Sequence, residues 1–352
     1  MRIEQNVKGL SALKENGYGV GQLKWKPPRE FRSFTYSQSG FKLDKKGGQT
    51  VLSLSKLADI PIRLHRAIPD VHKSDSSCAA HQKSLISEDD ATLKQVTVKK
   101  EPTGEWFATF GVEMDREPPE PPENPENCVG IDVGILKYAH DTDGTAVGSL
   151  DLSDGRERLE REQRKLSRKQ HGSNNYEKQR RRVAECHANL RRKRRDFLHK
   201  LSNYYAREYD LVAVEDLNVK GMMESPSNSR NTASAAWRTF ISLLEYKCER
   251  VGTHFAAVNP RGTTKECAAC GVSTEKPLWV REHSCPACGF EADRDANAAW
   301  NILSRGLENI GVGYSESTPV KTALPTGTSS VPAKRVVETG SPTLKRESQD
   351  AR

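Results

Sequence analysis

The sequence predicts a mixed α/β protein in two main parts: a strand-rich N-terminal region and a larger core of apolar strands and helices. Three observations carry this reading. Short β-branched runs fill residues 31–114, and two apolar strands at 128–135 and 211–217 each hold a carboxylate. Two Cys-x-x-Cys knuckles, Cys267/Cys270 and Cys285/Cys288, then lead into an apolar helix. At 352 residues there is room for two or three compact domains. Hydrophobic content of 35% and a mean hydropathy of −0.73 are low for one globule, so extended segments are expected. A net charge of +8 suits a polyanionic partner, although ribosomal and membrane-surface proteins share such a balance. No apolar run approaches the roughly 20 residues of a membrane span. The opening MRIEQNVKGL lacks an apolar signal region, so the expected location is cytoplasmic.

Residues 1–25 carry Val7, Leu10 and Leu13 at helical spacing before a Gly-rich break at 17–21. From 31 to 114 the runs FRSFTY, TVLSLSKL, IPIRLHR, LKQVTVKKE and WFATFGVEM read as strands. Alternation in the fourth and the Pro-Thr-Gly turn at 102–104 predict an antiparallel hairpin, 93–101 to 106–114. A polar tract at 70–91 reads as an insertion or long loop. The prolines of 116–127 stiffen an exposed linker that marks a domain boundary.

Beyond the linker, 128–135 (CVGIDVGI) is an apolar strand with Asp132 in its middle. Residues 136–140 and 146–152 extend it as a meander through the Asp143-Gly144 turn. Residues 156–200 hold 17 Lys/Arg against 6 Asp/Glu, a net +11 that exceeds the charge of the whole chain. The break HGSNN at 171–175 predicts two helices with sparse apolar positions at Leu159, Leu166, Val183 and Leu190. A solvated hairpin is the bland alternative. The imbalance is too one-sided for intrahelical pairing, because like charges three or four apart repel. Phosphate-backbone contact is therefore expected from Arg164, Lys165, Arg168, Lys169, Arg180, Arg181, Arg182, Arg191, Arg192, Lys193, Arg194 and Arg195. A second apolar strand, 211–217, carries Glu215. A polar loop at 224–232, an amphipathic helix at 237–251 and a strand at 253–260 follow, and a helix at 296–307 closes the fold. Residues 311–352 are Ser/Thr/Pro/Gly-rich and read as a disordered tail.

Fourteen residues separate the two knuckles, just short of the usual spacing of about 15–20 in four-cysteine zinc sites. Each knuckle is followed by glycine, Gly271 or Gly289, which lets backbone amides turn toward the sulfurs. Two disulfides or four unrelated thiols are the alternatives, and nothing at the N-terminus points to an oxidising compartment. Four protein ligands leave no open coordination position, so the zinc is expected to be structural. Cys78, Cys128, Cys186 and Cys248 lack ligand spacing and read as reduced thiols.

Asp132, Glu215 and Asp295 stand where structure alone would not place them. A carboxylate in an apolar strand is costly unless compensated, and a divalent cation compensates it best. Three acids converging across a sheet can hold two Mg²⁺ ions for phosphodiester hydrolysis. Singly, each acid reads better as the start of a turn; it is the combination that points to a metal site.

Taken together, CVGIDVGILKYA, LVAVEDLNVKGM and CAACG…CPACGFEADRDANAAWNI resemble the three RuvC motifs and inserted zinc ribbon of the TnpB/OrfB family of insertion-sequence proteins. The resemblance covers roughly residues 31–307. It implies an RNase H-like RuvC nuclease with Mg²⁺, guided by RNA from the element's end and cutting a DNA target. On these motifs the catalytic acids fall on Asp132, Glu215 and Asp295, with Asp293 as a helix-start neighbour. The expected division is a helical remnant at 1–25, a β-barrel-like, wedge-type RNA-binding domain at 26–115, and the linker. The RuvC-like core at 128–262 with its basic hairpin at 156–205 follows, then the ribbon at 263–292 and the third-motif helix at 293–310. The basic hairpin is expected along the guide–target duplex, and a separate transposase is an expected partner on the same element. One departure stands out: the chain opens at what resembles the end of the family's helical recognition part, which implies an N-terminally truncated copy. The alternatives are a catalytically silent, nucleic-acid-binding remnant and a zinc-ribbon adaptor for a protein partner; the adaptor leaves Asp132 and Glu215 unexplained.

Overall fold

A computed structural model describes residues 2–21, 30–64, 91–114, 117–218, 236–277 and 279–311. The polar insertion after residue 69, the loop at 224–232 and the tail beyond 311 fall outside them. The chain divides into two compact units, Met1–Arg116 and Glu117–Arg352.

The first unit opens with α1 (Arg2–Glu15), whose Val7 and Leu13 are exposed. Two antiparallel three-stranded sheets follow. One has the order β1 (Ser33–Ser37), β5 (Ala91–Lys100), β6 (Trp106–Met114), and the other runs β2 (Phe41–Lys46), β3 (Gln49–Leu54), β4 (Ile60–Ile62). They share a core of Phe41, Leu52, Leu54, Leu93, Val96 and Val98. The expected hairpin pairs Ala91 with Met114 through to Lys100 with Trp106. Its turn closes through the Gly104 amide, which donates to the Glu101 carbonyl at 2.9 Å. Strand β2 was absent from the sequence expectation. Its FKLDKK alternates, but only Phe41 and Leu43 pack on the core, so its apolar signal is thin.

The second unit is built on a five-stranded sheet of order β11 (His254–Val258), β10 (Leu211–Glu215), β7 (Cys128–Val133), β8 (Lys137–Asp141), β9 (Ala146–Gly148). The first three strands are parallel, and β8 and β9 return antiparallel. On one face Val129, Ile131, Val133, Val212 and Val214 pack with Leu198 and Tyr205 of α3 (Asn174–Glu208) and with Trp237, Phe240 and Leu244 of α4 (Trp237–Val251). On the other, Leu211, Ala213, Ala256 and Val258 meet Ile302 and Leu303 of α5 (Arg294–Asn309). Burial on both faces is why β7 and β10 read as continuous apolar runs instead of alternating ones. The basic tract forms the expected pair, α2 (Ser153–Ser167) and α3, broken where the Ser173 hydroxyl caps α3 by accepting from the Tyr176 amide. Between β11 and α5 lies a small hairpin of β12 (Glu282–Ser284) and β13 (Glu291–Asp293).

Gly130 lets α5 lie on the sheet. A Cβ there would stand 2.1 Å from the Ala299 carbonyl oxygen and 2.7 Å from the Leu303 nitrogen. Both obstacles are backbone, so neither can swing away. Gly130→Ala is therefore expected to destabilise the second unit by about 3 kcal/mol or more. A fall in its denaturant midpoint at unchanged slope measures this.

Candidate active site and cysteine cluster

Strand pairing places the three acids. Ile131 lies beside Val214 in the parallel pair, so the next residues along each strand, Asp132 and Glu215, are neighbours at the C-terminal ends. Side chains alternate along a strand, which puts Asp132 with Gly130, and Glu215 with Ala213, on the face that α5 covers. Helix α5 presses Ala299 onto Gly130, and Asp295 sits one turn earlier, toward the same end. The electrostatics agree. Burial pushes the Asp132 carboxyl well above its usual range, and Glu215, Asp295 and Asp293 push the same way against Arg294. Burial also raises Glu215, opposed by a hydrogen bond from the Thr263 hydroxyl (2.5 Å) and by Arg305.

Asp295 is held differently. Arg294 donates to its Oδ1 from Nε (3.2 Å) and Nη2 (3.1 Å), and Arg281 stands 3.6 Å away. Asp293 is the N-cap of α5, accepting from the amides of Asp295 (2.8 Å) and Ala296 (3.4 Å).

His140, which the sequence reading passed over, is the direct cross-strand partner of Asp132 on β8. It is 7% exposed, and its Nδ1 is buried without a hydrogen-bond partner among the described residues. Burial holds the imidazole below its ordinary range and Lys137 adds to this, while Asp293, Asp295 and Asp141 oppose it. The signal was available: with the β7–β8 connection centred on Leu136, counting outward four residues each way pairs 132 with 140.

The four cysteines form a tight cluster, with all Sγ atoms within 4.8 Å of one another. Cys267 and Cys288 sulfurs are 3.7 Å apart, and those of Cys270 and Cys285 3.5 Å. A tetrahedron with Zn–S bonds of about 2.3 Å has sulfur edges of about 3.8 Å, so this donor set fits zinc. The knuckles are built alike. Gly271 and Gly289 donate to the carbonyls of Cys267 and Cys285 at 2.8 and 2.9 Å, and both take positive φ, 74° and 73°. Amides of Ala287 and Cys288 point at Cys285 and hold its thiol down to about 6, while burial pushes Cys267 up to about 12. The three acids do not form a comparably tight group among the described residues.

Asparagines on α5 tie the cysteine segment to the helix. Asn297 donates to the Glu266 carbonyl (2.7 Å) and accepts from the Ala268 amide (2.9 Å); Asn301 donates to the carbonyls of Thr263 and Glu266, both at 2.8 Å. Arg305 reaches the carbonyls of Asn259 and Arg261 and the Glu266 carboxylate. None of these was singled out from sequence, where an Asn in an Ala-rich helix looks like a weak helix former.

Of the twelve cations predicted on the basic hairpin, eleven are exposed and Arg194 is half-buried. Its Nε lacks a hydrogen-bond partner among the described residues, and burial and Arg156 act against its charge. Exposed pairs such as Lys165–Glu162 (2.7 Å) and Arg180–Glu177 (2.6 Å) use only part of the positive charge.

Comparison with known proteins places this arrangement. The profile of OrfB_IS605, described as a probable transposase, matches residues 109–226, and a Cas12f1-like TNB domain profile matches 237–302. A putative RNA-guided DNA endonuclease of Streptomyces pristinaespiralis is 35% identical over 303 residues, 85% of this chain and 68% of that protein. The chain belongs to the TnpB/OrfB family. A second TnpB/OrfB relative, the putative RNA-guided DNA endonuclease InsQ of Escherichia coli K12, is 31% identical over 330 residues, 88% of this chain and 75% of the relative. The fold of this TnpB/OrfB chain resembles that of Cas12f1, solved by cryo-EM with single-guide RNA and target DNA. The TM-score is 0.53 at 16% identity, covering 83% of this chain and 67% of the other. Among the described residues no helix is long and apolar enough to cross a membrane.

Proposed function

We propose that this chain is an RNA-guided DNA endonuclease that cuts phosphodiester bonds at Asp132, Glu215 and Asp295. The observation that carries it is the convergence of three acids from β7, β10 and α5, with Glu215 buried, Asp132 half-buried and both pushed toward their protonated forms. Such carboxylates fit divalent cations, because Arg294, Arg305 and the Thr263 hydroxyl offset only part of the cost of ionising them and both carboxyls stay raised. When Mg²⁺ is bound, it supplies positive charge to the reacting phosphate and a water of lowered pKa, two ions serving the attacking and leaving oxygens. Asp132 and Glu215 are the fixed members, held in adjacent parallel strands. Thr263 orients Glu215 through its hydroxyl, and Arg294 pairs with Asp295, which would be a further oxygen ligand for the cation.

The four cysteines hold a structural zinc in a ribbon, and the N-terminal sheets form the barrel-like unit that grips the guide RNA. The exposed cations of α2 and α3 track the guide–target duplex. Replacing Arg180, Arg181 and Arg182 together with serine is expected to flatten the slope of log affinity against log salt by about 0.9 per lost phosphate contact. Arg194→Gln is expected to leave that slope unchanged, since its side chain faces inward. The deciding experiment incubates purified protein with RNA from the element's end, Mg²⁺ and a matching DNA target. Guide-dependent cuts that Asp132→Ala abolishes are expected; failure to cut with any matching guide, from protein that binds both nucleic acids, overturns the proposal.

A further inference from the structure

The acid cluster has a fourth wall that the three carboxylates leave unexplained. His140 projects from β8 on the same sheet face as Asp132, because directly paired residues on neighbouring strands share a face with Cβ atoms about 4.5–5.5 Å apart. The residue is more than nine-tenths buried, and Nδ1 lies in the interior without a hydrogen-bond partner among the described residues. A buried orphan nitrogen of this kind is costly unless something absent from the protein itself engages it. The acids on α5 reach the same place, for both Asp293 and Asp295 act on the His140 ring. Asp293 is committed to capping the helix, which leaves Asp295 and Asp132 as the oxygen donors beside the imidazole.

We infer that His140 is a nitrogen ligand of the divalent cation held by Asp132 and Asp295. The inference rests on the active site proposed above. Carboxylates and water suit Mg²⁺, whereas an imidazole favours transition ions over it. The donor set is therefore expected to bind Mn²⁺ or Co²⁺ in preference to Mg²⁺ by more than an all-oxygen set does.

The test uses the full chain with its cysteine site loaded with zinc, titrated with Mn²⁺ and followed by electron paramagnetic resonance. Electron spin-echo modulation from a directly bound ¹⁴N is expected in the unmodified protein and is expected to vanish in His140→Asn. The same variant is expected to lose roughly tenfold in Mn²⁺ affinity relative to Mg²⁺. Asp132→Ala is expected to remove Mn²⁺ binding altogether. If Mn²⁺ binds and needs Asp132 but shows no ¹⁴N coupling, His140 is not a ligand and the acid site still stands. Coupling that persists in a folded His140→Asn protein also overturns the inference. If the unmodified protein binds no Mn²⁺ at this site, the acid cluster itself is misread. Should His140→Asn fail to fold, the spectrum of the unmodified protein still decides, since it is read without any substitution.

Discussion

Asp132→Asn protein is expected to lose cleavage by roughly a thousandfold or more, and yet to unfold at a higher temperature than the parent in magnesium-free buffer. Both effects come from the burial that makes the site useful. The fold raises the Asp132 carboxyl pKa, so in the window between the unfolded value and the folded one the native state binds more protons than the unfolded chain. Stability then falls as pH rises through that window, so at neutral pH holding this carboxyl in the fold is a net cost. Asparagine removes the charge and keeps the shape. Each kcal/mol relieved raises the melting temperature of a unit this size by about 2–4 °C. Calorimetry at pH 7, with zinc retained, is expected to show a gain of a few degrees that disappears below the unfolded carboxylate range. Adding Mg²⁺ is expected to reverse the order, since the parent alone gains a ligand. An asparagine variant less stable than the parent at pH 7 would show that Asp132 is held by protein contacts and not reserved for a cation.

Removing the metal from the cysteines carries the second large effect. About one zinc per chain is expected by elemental analysis. Structural zinc sites supply on the order of 10 kcal/mol of folding free energy, comparable with the whole stability of a domain. A strong chelator, or Cys285→Ser, is therefore expected to unfold the segment at 263–292 and to abolish cleavage with it. The route is legible in the contacts. The segment donates the Thr263 hydroxyl to Glu215 and offers the Glu266 carbonyl to Asn297 and Asn301, so its loss frees one side of the acid cluster. Hydrogen exchange is expected to accelerate across 263–292 while β7 and β10 stay protected. Without the ion the site mixes a readily ionised thiol, Cys285, with Cys267, pushed up to about 12. Binding must displace protons, so zinc affinity is expected to weaken as pH falls. Unchanged exchange after complete zinc removal would mean that the knuckles are held by their own hydrogen bonds.

Much of this was legible in the residues, for identifiable reasons. Strands β7 and β10 are buried on both faces, so a lone acid in each stood out against an apolar run. The helical hairpin announced itself by charge and by the HGSNN break, and the knuckles by spacing. What escaped was information that only pairing supplies. His140 became visible once β8 was set beside β7, and Thr263, Asn297, Asn301 and Arg305 once α5 was laid against the segment it clips. Gly130 is silent in sequence because its role is what it lacks. Strand β2 hid because four of its six residues are charged.

The junction between the ribbon hairpin and the closing helix has a mechanical consequence. Strand β13 ends at Asp293 and α5 begins at Arg294, with Asp293 capping the helix and the Arg294 amide bonded to the Arg281 carbonyl at 2.7 Å. No slack lies between Cys288 and Asp295. The hairpin therefore runs directly into the first turn of the helix, while Asp132 and Glu215 stand on the sheet that the helix covers. Loosening of the cysteine segment is therefore expected to reach Asp295 along the chain and Glu215 through the Thr263 hydroxyl.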